Sequence, residues 1–72
     1  MDWTGCELVE RVEGKLSGRP VLRGTRILVD SIVRDFDLGA SVEEIQMDYP
    51  TIEADTIRKL VEFARTRRRS AA

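Results

Sequence analysis

From residue 29 onward the apolar positions repeat with helical spacing. Val29, Ile32, Val33 and Phe36 fall at i, i+3, i+4 and i+7, one stripe of a first helix. Gly39 stands where a glycine closes a helix, because it accepts the left-handed backbone that such an end needs. A second helix opens at Ser41. Ser41-Val42-Glu43-Glu44 has the spacing of a capping box, in which serine and glutamate satisfy each other's free N–H groups. Its apolar face is Val42, Ile45 and Tyr49, and Pro50 ends it by disfavouring helical geometry at Tyr49. A third helix starts near Glu53 and runs to about Arg67, with the stripe Ala54, Ile57, Leu60, Val61 and Ala64. Glu53 and Asp55 at its start, and Arg65 and Arg67 near its end, match the helix dipole.

The pattern before residue 29 is different. Leu8 to Val12 reads as a short strand, and Glu13 to Pro20, with Gly14, Ser17, Gly18 and Pro20, as a loop. Val21-Leu22-Arg23 and Arg26-Ile27-Leu28 flank Gly24-Thr25, which suits a tight hairpin with glycine at the first turn position. The linkers Leu38–Ala40 and Pro50–Ile52 are too short to separate domains. The expectation is one domain over residues 1–72: a β region at 8–28, a three-helix core at 29–67 and a basic tail at 68–72. The fold class is mainly α, a short N-terminal β hairpin region followed by a three-helix, helix-turn-helix-like core. Ile32, Val33, Phe36, Ile45, Tyr49, Ile57, Leu60 and Val61 are the expected core.

Size narrows the function. A chain of 72 residues buries only about 60% of the surface that its unfolded form exposes. It builds one small core and no deep catalytic cavity. No apolar run of about 20 residues is present, so no membrane partner is expected. The start, Met1-Asp2-Trp3-Thr4-Gly5, lacks a secretion signal, and the single cysteine, Cys6, forms no internal disulfide. These features favour the cytoplasm.

Charge adds an asymmetry. Twelve Lys and Arg against 13 Asp and Glu give a net charge of −1, which argues against a surface coated for nucleic acid. Acidic residues gather between Asp35 and Asp55, whereas Arg65, Arg67, Arg68 and Arg69 concentrate positive charge at the C-terminus. Two surfaces with different partners are expected.

The catalytic inventory is poor. Histidine is absent, which removes the commonest general base and metal ligand. Cys6 then lacks the usual activating base and reads as a small hydrophobe in a mobile terminus. Glu43, Glu44 and Asp48 read as a solvated helix face with a capping residue. No catalytic residue, metal or cofactor is expected, and the chain reads as a binding module. Two basic groups remain. The second and third helices have the connection of a helix-turn-helix, which places Arg58 and Lys59 for DNA contact, with a plain three-helix bundle as the competing reading. Arg23 and Arg26, with Thr25 between them at the turn, form the better pair for phosphate or carboxylate, since guanidinium binds both bidentately. Small size and the two half-sites that repressors usually read point to a homodimer.

The segment Gly18-Arg19-Pro20-Val21-Leu22-Arg23-Gly24-Thr25-Arg26-Ile27 resembles the signature of the bacterial family called domain of unknown function 433. The likeness continues through Asp30-Ser31-Ile32-Val33, Leu38 to Ile45 and Asp48-Tyr49-Pro50, and spans about residues 8 to 65. One departure is Glu53, where the family tends to carry a threonine cap. The resemblance implies a homeodomain-like or winged-helix-like core and similarity to VapB-type antitoxins. The implied partner is a PIN-like ribonuclease toxin, a metal-dependent enzyme, and the implied roles are neutralising it and repressing the shared operon at operator DNA. In that setting Arg65, Arg67, Arg68 and Arg69 would face the toxin's metal-binding carboxylates, with Phe63 supplying apolar contact. The alternative is a stand-alone DNA-binding regulator or a dimerising scaffold without a toxin.

Overall fold

Three helices and a small antiparallel sheet make up the computed structural model of the chain, which describes residues 1–14 and 16–71, without the side chains of residues 70 and 71. The elements are strand β1 (Val9–Glu10), a 3-10 turn (Leu16–Gly18), strand β2 (Val21–Leu22), and helices α1 (Val29–Asp37), α2 (Val42–Asp48) and α3 (Ala54–Ala71). No helix among the described residues is long and apolar enough to cross a membrane.

The helices end where local chemistry ends them. After α1, Ala40 N–H bonds the Asp35 carbonyl and Gly39 N–H the Phe36 carbonyl, both at 3.0 Å. That pair of bonds is a Schellman motif, and it requires the positive φ of +106° that Gly39 supplies. At α2 both halves of the capping box form: Glu44 N–H donates to Ser41 Oγ at 3.1 Å and Ser41 N–H to Glu44 Oε1 at 2.9 Å. Hydrogen bonding from the Ser41 N–H, and then from its side chain, holds the Glu44 carboxyl below its ordinary pKa. The helix stops at Tyr49 before Pro50. The Glu53 carbonyl accepts the Ile57 N–H at 3.2 Å and opens α3.

The β region differs from the expected hairpin. Strand β1 covers two residues, not Leu8 to Val12, and pairs with β2 in the register Val9↔Leu22 and Glu10↔Val21. Arg26 to Leu28 contributes one isolated bridge, Val21↔Leu28, instead of a strand. The tight turn is centred on Arg23-Gly24, one residue earlier than expected, because Thr25 N–H bonds the Leu22 carbonyl at 2.9 Å. Gly24, at φ +78°, therefore sits at the second central position, where a type II turn needs positive φ.

Ile32, Ile45, Ile57 and Leu60 are fully buried, and Val33 and Val61 nearly so. Phe36 and Tyr49 are half-buried and pack against this core from its edge. Val9, Val21, Val29, Ile52, Ala64 and Trp3 complete it. The last corrects the expectation of a mobile N-terminus. Trp3 is 6% exposed, and its indole N–H donates to Asp30 Oδ1 in the first turn of α1 at 2.8 Å. Cys6 is half-buried against the same core. Helix α3 also runs past the expected end near Arg67, so Arg68 and Arg69 are helical rather than part of a tail. Residue 72, the end of that expected tail, lies outside the described residues.

Candidate protein-binding face

Of the three candidate residues at the turn, Arg23, Thr25 and Arg26, two are committed to the fold. Arg23 turns back along β1: its Nε donates to the Glu7 carbonyl at 2.9 Å and a terminal nitrogen to the Val9 carbonyl at 3.3 Å. Glu10 lies 3.7 Å from the same guanidinium and also accepts the Gly24 N–H at 2.8 Å. Thr25 spends its hydroxyl inside the turn, donating to the Leu22 carbonyl at 2.8 Å and accepting the Ile27 N–H at 3.0 Å. Arg26 is exposed and makes no ion pair among the described residues. Arg23 and the Gly24 N–H thus lock the turn onto β1, and Thr25 closes it from inside.

On α3, Arg58 and Lys59 are exposed and ion-paired, Arg58 with Glu43 of α2 at 4.0 Å and Lys59 with Asp55 at 3.2 Å. Glu53 and Asp55 keep the start of α3 acidic, which opposes close approach of a phosphate backbone there.

The C-terminal arginines divide between two sides of α3. Arg67 faces the N-terminal segment. Its guanidinium donates to the Thr4 carbonyl, lies 3.8 Å from the Asp2 carboxylate and sits 4.9 Å over the Phe63 ring. Hydrogen bonds from the Thr4 hydroxyl and N–H, with the Arg67 and Arg11 charges behind them, hold the Asp2 carboxyl below its ordinary pKa. Arg68 reaches Asp37 at the end of α1 through both terminal nitrogens, at 3.0 and 3.2 Å. Phe63 is half-buried and stacked on Trp3. These three side chains close the N-terminal segment and α1 onto α3.

Arg65 and Arg69 project elsewhere. They are one helical turn apart on the same face. Arg65 makes only a 3.9 Å contact with Glu62, between side chains more than half exposed, and Arg69 makes no ion pair among the described residues. Arg65 also lines an open groove with Phe36 of α1, Val42 of α2, and Arg58, Lys59, Val61 and Glu62 of α3. Sequence reasoning found its arginines but missed the groove, because Phe36, Val42 and Val61 come from three helices and read as core or as an apolar helix face. Trp3 and Asp2 were missed because an isolated aromatic near a terminus has no periodicity to mark it. No group of three Cys, Asp or Glu among the described residues is placed to hold a metal ion.

Neither the curated proteins nor the solved structures include a match to this chain. The profile of the family described as "Protein of unknown function (DUF433)" matches residues 9–64. That span holds the turn locked by Arg23, the Gly39 helix end, the capping box and most of α3, and the chain belongs to this family.

Proposed function

We propose that the chain is the antitoxin of a type II toxin–antitoxin pair, which binds and neutralises a PIN-like ribonuclease. The observation that carries this reading is the pair Arg65 and Arg69, exposed on one face of α3. A metal-dependent nuclease of that kind gathers carboxylates around its metal ions. Guanidinium pairs with carboxylate bidentately and keeps its charge when desolvated, so two arginines on a rigid helix suit such a cleft. A helix also fixes their spacing, which a flexible tail would have to lose entropy to do. Phe63, Arg67 and Arg68 serve this role indirectly, by fixing α3 against α1 and the N-terminal segment.

Autorepression at operator DNA is the second half of the proposal. It would draw on Arg26, with Arg58 and Lys59 exchanging their exposed ion pairs for phosphates, and a homodimer would present two copies of the face. The homeodomain-like or winged-helix-like character of the core belongs to the same proposal. The acidic start of α3 favours protein binding over DNA binding on that face. The test is to express the chain with a PIN-like ribonuclease encoded beside it and to follow RNA cleavage as the chain is added. Stoichiometric loss of cleavage supports the proposal. Operator binding without any effect on the nuclease would favour a stand-alone regulator.

A further inference from the structure

Ala64 is the last fully buried residue of α3, yet the helix continues to Ala71, about two further turns. Those turns carry Arg65 and Arg69 past the core. A helix end without packing frays, since each backbone bond there only offsets the entropy of the residue it fixes. Arg67 ties the helix to the N-terminal segment through Asp2 and Thr4. Arg68 is the last side chain of α3 that bonds another element among the described residues. Both its terminal nitrogens reach Asp37, at 3.0 and 3.2 Å, and its Nε donates to the Ala64 carbonyl at 3.4 Å. A bidentate arginine–carboxylate pair is the form of exposed ion pair that adds stability.

Asp37 is badly placed for its own helix. It is the last residue of α1, where a carboxylate meets the negative end of the helix dipole. Arg34, one turn back, lines the same cleft as Asp37 and Arg68, but makes no ion pair among the described residues. The carboxylate is thus turned away from its own helix and towards α3. A residue that breaks a local rule calls for a compensating gain elsewhere, and here the gain is the bond to Arg68.

We infer that Asp37 is the positioning residue of the arginine face: through Arg68 it keeps the last turns of α3 helical, so that Arg65 and Arg69 stand as a preformed pair. The inference rests on the antitoxin reading and deepens it by naming what fixes the spacing of that face. A partner that needs both arginines binds only the chains whose helix end is formed, so fraying weakens its apparent affinity in proportion. The role differs from general support of the fold. Removing the charge of Asp37 relieves the end of α1, so the core keeps its stability while the end of α3 loosens.

The test uses the isotope-labelled full chain and its Asp37→Asn variant, which keeps the size of the side chain and loses the charge. Amide exchange at Arg68, Arg69, Ser70 and Ala71 should become about fivefold faster, the upper end of what an exposed pair contributes. The thermal midpoint should stay close to that of the wild type. Inhibition of a PIN-like ribonuclease encoded beside the chain should weaken by about two- to fivefold. Asp37→Glu should recover most of both effects. Arg68→Ala added to Asp37→Asn should cost nothing more at the helix end, because the two residues act as one pair. Unchanged exchange at the helix end overturns the inference. So does a lower thermal midpoint with the helix end unaltered, which would make the pair a support of the fold alone. Faster exchange with undiminished inhibition overturns it as well. A wild type that inhibits no nuclease removes the antitoxin reading, and the exchange rates alone then decide whether Asp37 holds the helix end.

Discussion

Trp3 stacks on Phe63 with ring centroids 5.6 Å apart and planes 13° from parallel. The contact joins the first residues of the chain to the middle of its last helix, and the Trp3 indole N–H ties the same ring to Asp30 of α1. The N-terminal segment is therefore part of the core although it lies outside the span matched by the family.

Trp3→Ala should cost about 3–5 kcal/mol in urea unfolding, the usual range for removing a large buried aromatic. That is a large share of the roughly 5–15 kcal/mol available to a folded domain. Trp3→Phe keeps a ring on Phe63 and loses the bond to Asp30, so its loss should be nearer to about 1–2 kcal/mol. Equal stabilities for the wild type and Trp3→Ala would show that the segment merely lies on the surface.

The capping box gives a second expectation. Ser41→Ala should lower stability by about 1 kcal/mol. It should also return the Glu44 carboxyl towards its ordinary pKa, which a carboxyl titration by NMR reads directly. Because the folded pKa is lowered, the contribution of Glu44 is fully present above the pKa of an unfolded glutamate. It fades as pH falls through the lowered value. The variant should therefore show a weaker dependence on acid than the wild type, and an unchanged Glu44 titration would contradict the assignment.

Gly39→Ala should destabilise by about 1–2 kcal/mol, the cost of a left-handed backbone for a residue with a Cβ. Nothing lies within 4 Å of where that Cβ would stand, so the cost is conformational and not steric. A thermal midpoint lower by about 4–8 °C per kcal/mol is the corresponding readout. A neutral substitution would mean that the end of α1 relaxes to another geometry.

Helical periodicity, the Ser41 cap and the Gly39 end were legible in the sequence because each is a local rule acting over a few residues. The sheet was not. Residues 9 and 10 pair with 22 and 21 through an interval of loop, and Arg23 and Glu10 decide that pairing by contacts which no local pattern displays. The same holds for the arginines of α3. Composition marks Arg65 to Arg69 as one cluster, yet helical geometry sends Arg67 to Asp2 and Arg68 to Asp37. Only the fold separates these anchoring arginines from Arg65 and Arg69.

That separation is the central claim, and nuclease inhibition by two sets of variants tests it most directly. Deleting the C-terminus would remove the Arg67 and Arg68 anchors along with the exposed pair, so substitutions are the cleaner tool. Arg65→Ala with Arg69→Ala should leave folding intact. It should weaken inhibition of a PIN-like ribonuclease by at least about thirtyfold, the lower end of what losing one side of a buried charge pair costs. Arg67→Ala should instead lower the unfolding midpoint while a folded sample inhibits nearly as well as the wild type. Undiminished inhibition by the folded Arg65→Ala, Arg69→Ala variant would contradict the account.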